Sequence, residues 1–352
     1  TAVVPARSGT TAVVPPTRGH AIEVRLYAED PAEGWRPSTG RLHAFEVPRV
    51  DAAFAALSGA GVRLDSGVEP GSVVGVHYDP MLAKLIAWAP TRDEAARLLA
   101  DALTRARLHG VVTNRDLLVR VLRHPAFLAG ETDTGFLARH DDVFAPLADP
   151  TTVRRAALAA ALAGAAARRA DARVLSGLPS GWRNVPSAPQ STAFDGPTGR
   201  LEVAYRFDRR GALAVATVDG DPVDVTLVEA APDRVVLGSG GVRETFAVHL
   251  VDDVSYVDST GGSVTLTEVP RFPLPGTGVA EGSLVAPMPG TVGRVAVATG
   301  DRVAAGDLLL TLEAMKLEHP VYAPGDGVVA ELPVAAGTRV DTGDVLAVIT
   351  HE

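Results

Sequence analysis

The feature that most narrows the fold is a repeat near the C-terminus. Residues 291–312 (TVGRVAVATGDRVAAGDLLLTL) and 328–349 (VVAELPVAAGTRVDTGDVLAVI) match at an offset of 37 positions. Val292, Val297, Gly300, Val303, Gly306, Asp307 and Leu309 fall on Val329, Val334, Gly337, Val340, Gly343, Asp344 and Leu346. The alternating apolar residues predict short strands, and the recurring glycines predict tight turns with positive φ. Two such four-strand halves, packed face to face, predict a pseudo-twofold all-β domain over 284–352, a flattened barrel or sandwich. The segment joining the halves is LEAMKLEHPVYAPGDG, with Lys316 near its middle. A lysine there sits on a hairpin tip, away from the core.

Lysine is rare in this chain. Of 33 basic residues only Lys84 and Lys316 are lysines, the mark of a GC-rich genome that favours arginine codons. A lysine kept against that bias points to chemistry a guanidinium cannot do, such as acylation at neutral pH. Lys84 lies inside the apolar strand pattern MLAKLIAW and reads as an ordinary outward-facing strand residue. The chain has no cysteine, which excludes disulfide scaffolds, thiolate metal sites and thiol nucleophiles, and no metal site is expected. A net charge of −9 argues against a general nucleic-acid binder. No run reaches the roughly 18 apolar residues that would span a bilayer, so no membrane partner is expected. A cytosolic setting fits a long cysteine-free chain without a signal segment.

At 352 residues the chain has room for two or three domains. Residues 1–17 carry the pentapeptide TAVVP twice among Pro, Gly, Ser and Thr, and read as disordered or mis-joined. Residues 18–146 read as mixed α/β. Ile22, Val24 and Leu26 alternate with Glu23, Arg25 and Tyr27, a strand pattern, and further strands are expected at 42–47 and within 78–89. Thr91 and Glu94 form a capping box before an apolar stripe of Ala95, Leu98, Leu99, Ala102, Leu103 and Ala106. A second helix from Asn114 faces Leu117, Leu118, Val121 and Leu122 inward and stops at His124-Pro125. Residues 147–270 open with Asp149-Pro150, a cap and N1 proline, before an Ala-rich helix to about Ala170. Short alternating segments over 199–269 with regular turn signals predict an antiparallel barrel or sandwich. A Pro/Gly-rich linker follows over 271–283.

Several of these segments resemble known ones. Glu313-Ala314-Met315-Lys316-Leu317, with APMPG at 286–290, resembles the biotinyl domain of biotin-dependent carboxylases. The resemblance implies biotin in amide linkage to Lys316, flanked by the cofactor-domain residues Ala314, Met315 and Leu317. The amine would attack an activated biotin carboxyl delivered by a biotin protein ligase. RGHAIEVRLYAEDP (18–31), YDPMLAKL (78–85), HGVVTN (109–114) and HPAFLAGETDTGFL (124–137) resemble, in order, the biotin carboxylase C-terminal domain. The resemblance implies a catalytic role for Arg25, stabilising the enolate formed when the biotin ureido nitrogen loses its proton. The helix and barrel over 150–270, with GWRNVPS at 181–187, resemble the linking domain of acyl-CoA carboxylase α subunits, implying that a carboxyltransferase β subunit docks there. Trp182 in that stretch reads equally as a core aromatic.

The fold class expected is therefore multidomain α+β, and the implied enzyme is an acyl-CoA carboxylase, a ligase. ATP, Mg and bicarbonate are expected in the complete enzyme only, because no Gly-rich phosphate loop is found in 1–150. The expectation is a truncated α subunit, inactive alone, that reaches acyl-CoA through the β subunit. Two other readings stay open: a non-catalytic biotin carrier and assembly fragment, and a lipoyl carrier, which Met315 before Lys316 disfavours.

Overall fold

A computed structural model describes residues 17–174, 188–208, 210–272, 282–314 and 317–350. The repeated pentapeptides, GWRNVPS with Trp182, and the pair Met315 and Lys316 lie outside them.

The strands His20–Tyr27, Met81–Ala89 and Gly61–Ser66 lie side by side, antiparallel, with Ala52–Ala53 added in parallel at the edge. Register places Ile22, Val24 and Leu26 opposite Ala87, Leu85 and Ala83, so these residues share one face. The Arg92–Thr104 helix covers that face and starts with the Thr91–Glu94 capping box. Leu26, Leu85, Leu99 and Leu103 are fully buried between them, whereas Leu98 is exposed at the edge of the predicted stripe. The second helix is Arg115–Arg123; its most buried apolar residue is Val119, while the expected Leu118 and Val121 are half-buried. Leu117 and Leu122 are buried as expected, and Val119 joins them because the helix packs against both the Arg92–Thr104 helix and the turn Asp141–Phe144. His124 ends it and caps the next short helix, Pro125–Ala129, through Nδ1.

The Pro150–Ala170 helix is capped by Asp149, whose Oδ1 accepts the Thr152 N–H at 2.7 Å. Residues 156–163 are all buried, six of them alanine. A helix apolar all round belongs inside a fold, and here a nine-stranded antiparallel sheet surrounds it. The strands at the two ends of the sheet, Asp221–Pro222 and Thr226–Ala231, are joined by residues 223–225, so the sheet curls around the helix. Of the two architectures open from sequence, the barrel is the one formed, and alanine's small side chain lets its wall approach the helix from every side.

A buried polar seam joins this barrel to the strand Arg107–His109, which pairs with Ala44–Glu46 in a separate two-stranded sheet of the first unit. His109, 1% exposed, offers Nε2–H to Asp258 Oδ2 at 2.9 Å and faces His249 across an Nδ1···Nδ1 distance of 2.8 Å. Tyr256 stacks on His109, Ser263 Oγ donates to Asp258, and Arg115 Nη1 donates to Ser263 at 2.9 Å. Burial, together with His109, Arg107 and His43, lowers the His249 pKa. Burial pushes the Asp258 carboxyl up, but hydrogen bonds from His109 and Ser263 and the nearby cations outweigh it and hold it low.

The C-terminal unit consists of two four-stranded sheets. The expected face-to-face halves are corrected here: the sheets are not the halves. One sheet runs Ser283–Val285, Val345–Thr350, Gly327–Glu331, Arg302–Val303; the other runs Leu317–Tyr322, Leu308–Ala314, Gly290–Val295, Arg339–Val340. Each sheet takes two strands from each half. The halves interlock because each turn is tied to the other copy through its glycine: Gly300 N–H donates to Val329 O and Gly337 N–H to Val292 O, at 2.8 and 2.7 Å. The same twofold relation pairs Gly306 N–H to Ala323 O with Gly343 N–H to Ala286 O, both 2.9 Å.

The seam makes the junction acid-labile. Both His249 and Asp258 have folded pKa values below their unfolded ones, so each contributes stability that is present above its unfolded pKa and lost as pH falls. The transition that separates the first unit from the barrel should drop in midpoint as pH falls below about 6.5, and less so in His249→Gln. Asp258→Ala should cost about 3–5 kcal/mol, as removal of one partner of a buried pair does. Thermal melts across pH check both.

Candidate functional site

The two halves of the candidate site are the outer face of the first sheet and the central hairpin of the C-terminal unit. On the first sheet, Glu23, Arg25 and Tyr27 face away from the helix-covered core. Arg25 lies directly opposite Lys84, and Lys84 opposite Asp65. Asp65 takes both oxygens to Arg63, at 2.8 and 2.7 Å, and lies 3.8 Å from Lys84 Nζ. The Arg63 hydrogen bond, chiefly, holds the Asp65 carboxyl below its usual range. Lys84 is thus an outward-facing strand lysine with a carboxylate partner, as its strand pattern predicts. Arg25 is more open: its side chain is 61% exposed, and among the described residues its ion-pair partner is Glu23 at 3.7 Å.

The backbone beneath Arg25 is held by a residue whose role the sequence did not reveal. Asn114 stands at the helix N-cap position but caps nothing. Its Oδ1 accepts Tyr27 N–H at 2.9 Å, its Nδ2 donates to Arg25 O at 3.1 Å, and its own N–H donates to Tyr27 O at 3.1 Å. The clamp spans the place where the strand register shifts, between Leu26 and Tyr27. The signal was the final Asn of HGVVTN, which pattern reading assigns to the following helix. The Gly of the same motif is dictated by packing: at Gly110, φ +112°, a Cβ would meet Arg41 O at 1.9 Å.

In the C-terminal unit, Leu308–Ala314 pairs with Leu317–Tyr322 down to Ala314 opposite Leu317. Only Met315 and Lys316 remain to join them. Ala314 is buried, and Gly290, at the end of APMPG, lies so near that a Cβ there would sit 2.9 Å from Glu313 O. Met288 of the same run is buried. The two segments that sequence comparison singles out are thus packed together, with Ala314 and Leu317 at the hairpin end.

His124, His140 and Asp142 also bring ligand atoms within 4.8 Å of one another. Metal-bound histidines use their second nitrogen as a donor. Here His124 Nδ1 accepts the Ala126 N–H, at 3.2 Å, which is the opposite polarity. The cluster reads as a helix cap rather than a metal centre.

Comparison with known proteins follows the same three-part division. Residues 23–139 match the biotin carboxylase C-terminal domain family, 152–271 the BT domain of the methylcrotonyl-CoA carboxylase alpha-subunit, and 282–349 the family of biotin-requiring enzymes. These regions place the chain among biotin-dependent carboxylases. Its relatives are α subunits of acyl-CoA carboxylases, and it corresponds to their C-terminal part. It is 30% identical over 329 residues to the mitochondrial methylcrotonoyl-CoA carboxylase subunit alpha of Mus musculus, covering 87% of this chain and 43% of that one. It is 33% identical over 325 residues to the propionyl-CoA carboxylase alpha chain of Ruegeria pomeroyi, covering 86% and 47%. The biotin carboxylase subunit of pyruvate carboxylase shares 37% identity over 36% of this chain and 26% of its own, with a TM-score of 0.33. The chain spans a little under half the length of the curated relatives it matches.

Asn114→Ala should leave the half-buried Tyr27 N–H without its acceptor, at a cost of about 1–3 kcal/mol. Hydrogen exchange at the Tyr27 amide should accelerate while exchange in the Pro150–Ala170 helix stays unchanged. Unaltered exchange at Tyr27 would remove the clamp from the account of Arg25.

Proposed function

We propose that this chain is the C-terminal part of an acyl-CoA carboxylase α subunit that holds biotin as an amide on Lys316. The observation that carries this reading is the hairpin paired down to Ala314 and Leu317, at the centre of a twofold-repeated unit, with Met315 and Lys316 as its connection. A short connection offers an amine to a ligase without unfolding anything. Lysine suits the task because its amine can act as a nucleophile. Ala314 and Leu317 close the strands behind it.

Bound biotin would supply the ureido group that carries a carboxyl between two active sites. Arg25 presents a guanidinium to that group, where a fixed cation with several N–H donors favours a developing oxyanion. Its openness supports the role, since Glu23 engages it only at 3.7 Å. Asn114 keeps its strand in place. The barrel formed by residues 188–268 and its central helix docks a carboxyltransferase β subunit, which selects the acyl-CoA. ATP, Mg and bicarbonate are handled by the complete enzyme, and this stretch alone is expected not to cleave ATP in response to bicarbonate. A cytosolic setting belongs to the same reading. No helix among the described residues is long and apolar enough to cross a membrane.

Co-expression with a biotin ligase, followed by peptide mapping, tests the attachment. Biotin is expected on Lys316 and absent from Lys316→Arg; biotin on Lys84 or lipoate on Lys316 would overturn the assignment. In a full-length enzyme, Arg25→Ala should lower kcat for biotin carboxylation by on the order of 10²-fold, the loss typical of an oxyanion donor. Arg25→Lys should recover little of it, since a point charge lacks the planar fork. Melting temperatures should match the parent's, because the side chain is exposed. A near-parent kcat would make Arg25 an ordinary solvated strand arginine.

A further inference from the structure

The outer face of the first sheet carries a row of three charges, of which the proposed chemistry uses one. Arg25, Lys84 and Asp65 lie directly opposite one another on the neighbouring strands His20–Tyr27, Met81–Ala89 and Gly61–Ser66. The next row of the same face brings Glu23 and Arg63 to either side of Ile86. Like charges directly opposite on paired strands repel, so placing Arg25 beside Lys84 costs the sheet stability. The two side chains turn apart. Arg25 leans along its own strand, with Nε 3.7 Å from Glu23 Oε1, and Lys84 leans across to the far strand, with Nζ 3.8 Å from Asp65 Oδ2.

Asp65 is the reason a cation is needed between the two. Its carboxylate is buried and fixed: Oδ1 accepts the Phe54 N–H at 3.0 Å and Arg63 Nε at 2.8 Å, and Oδ2 accepts Arg63 Nη2 at 2.7 Å. Phe54 has φ +52°, a left-handed backbone uncommon for a residue with a Cβ, so the same carboxylate also holds a strained neighbour. Two strand spacings, about 10 Å in all, separate Asp65 from Arg25, a gap that the long side chain of arginine can span toward a carboxylate. With an uncharged residue at position 84, the guanidinium of Arg25 is free to cross the sheet and pair there.

We propose that Lys84 is a positioning residue for Arg25: its ammonium repels the guanidinium and neutralises Asp65, and so keeps Arg25 pointing off the sheet, where a developing oxyanion can meet it. Lysine suits the position better than arginine. Arg63 already takes both Asp65 oxygens as a planar fork, so a second fork has no pair of oxygens to match, whereas a compact ammonium needs only one. A second guanidinium would also bring its donors onto the face where Arg25 acts. Lys84 is one of only two lysines among 33 basic residues, which fits that need. The use of Arg25 as an oxyanion donor rests on the proposed function; its dependence on Lys84 does not.

Proton exchange of the Arg25 Nε–H with water, followed by heteronuclear NMR in the 352-residue chain, reports whether the guanidinium is free. Exchange is expected to be fast in the parent and slowed several-fold in Lys84→Met, which keeps the stem without its charge. Lys84→Gln should behave in the same way. Asp65→Asn keeps an oxygen for the Phe54 N–H but offers Arg25 no charge, so alone it should match the parent, and combined with Lys84→Met it should return exchange to the parent rate. In a full-length enzyme, Lys84→Met should lower kcat for biotin carboxylation by about 10-fold, part of the loss expected on removing the donor itself. KM for biotin should change little, and the double variant should recover most of kcat. Parent-like exchange in both neutral variants, or no recovery in the double variant, would overturn the positioning role. An unchanged kcat in Arg25→Ala would sink the catalytic reading of Arg25 and leave the exchange result standing.

Discussion

The hydrogen bonds that pass between the two copies of the repeat are the constraint on which the C-terminal unit depends. Gly300 donates to Val329 and Gly337 to Val292; Gly306 donates to Ala323 and Gly343 to Ala286. Each copy bonds its own turns, as Asp307 N–H does to Ala304 O and Asp344 N–H to Asp341 O at 3.0 and 3.1 Å, but ties them down through the other copy. The copies must therefore fold together, and neither sheet exists without strands from both. Gly306 and Gly343, at φ +87° and +89°, provide the left-handed backbone that these turns require. Asp307 and Asp344 then accept the N–H groups of Ala304 and Asp341 at 2.8 and 2.7 Å, repeating the same turn bond. With the copies interlocked, the strands on either side of Lys316 are brought together to the last residue before the connection.

Arg25 depends on a different kind of support. Its strand is covered by a helix on one face and left open on the other, so the residue is available but its backbone needs fixing. Asn114 does this from outside the sheet with three hydrogen bonds to Arg25 and Tyr27. The helix that Asn114 precedes also supplies Arg115, which reaches Ser263 in the barrel. Clamp and barrel seam are thus adjacent in the chain, at Asn114 and Arg115. A disturbance at the seam reaches the backbone under Arg25 through one peptide bond and the hydrogen bonds of Asn114.

The seam and the inter-unit contacts use histidine in contrasting ways. His109 is buried against a carboxylate, and its partner His249 is held neutral by burial and neighbouring cations. His77 is exposed and faces an arginine. Buried and carboxylate-paired groups make a rigid joint; exposed arginine–histidine pairs make a weak one. The first joins the barrel to the strand Arg107–His109, and the second is a single contact of Arg339 with His77 at 3.2 Å.

Much of this was legible in the chain itself, because periodicity and caps act locally. The capping box at Thr91 and Glu94, the cap at Asp149, the Ala-rich helix and the positions of the repeat strands follow from spacing alone. So does the outward placement of Arg25 and Lys84. Three things needed the tertiary structure. The interlocking of the repeat was hidden because a repeat shows that two copies are alike, not which copy completes which turn. Asn114 reads locally as the start of the second helix because its true partners lie 87 and 89 residues away. The His109–His249–Asp258 seam joins segments about 140 to 149 residues apart. Local sequence determines which strands and helices form and which face of each is apolar; long-range hydrogen bonds decide which of them meet, since their partners are set by packing rather than by neighbours in the chain.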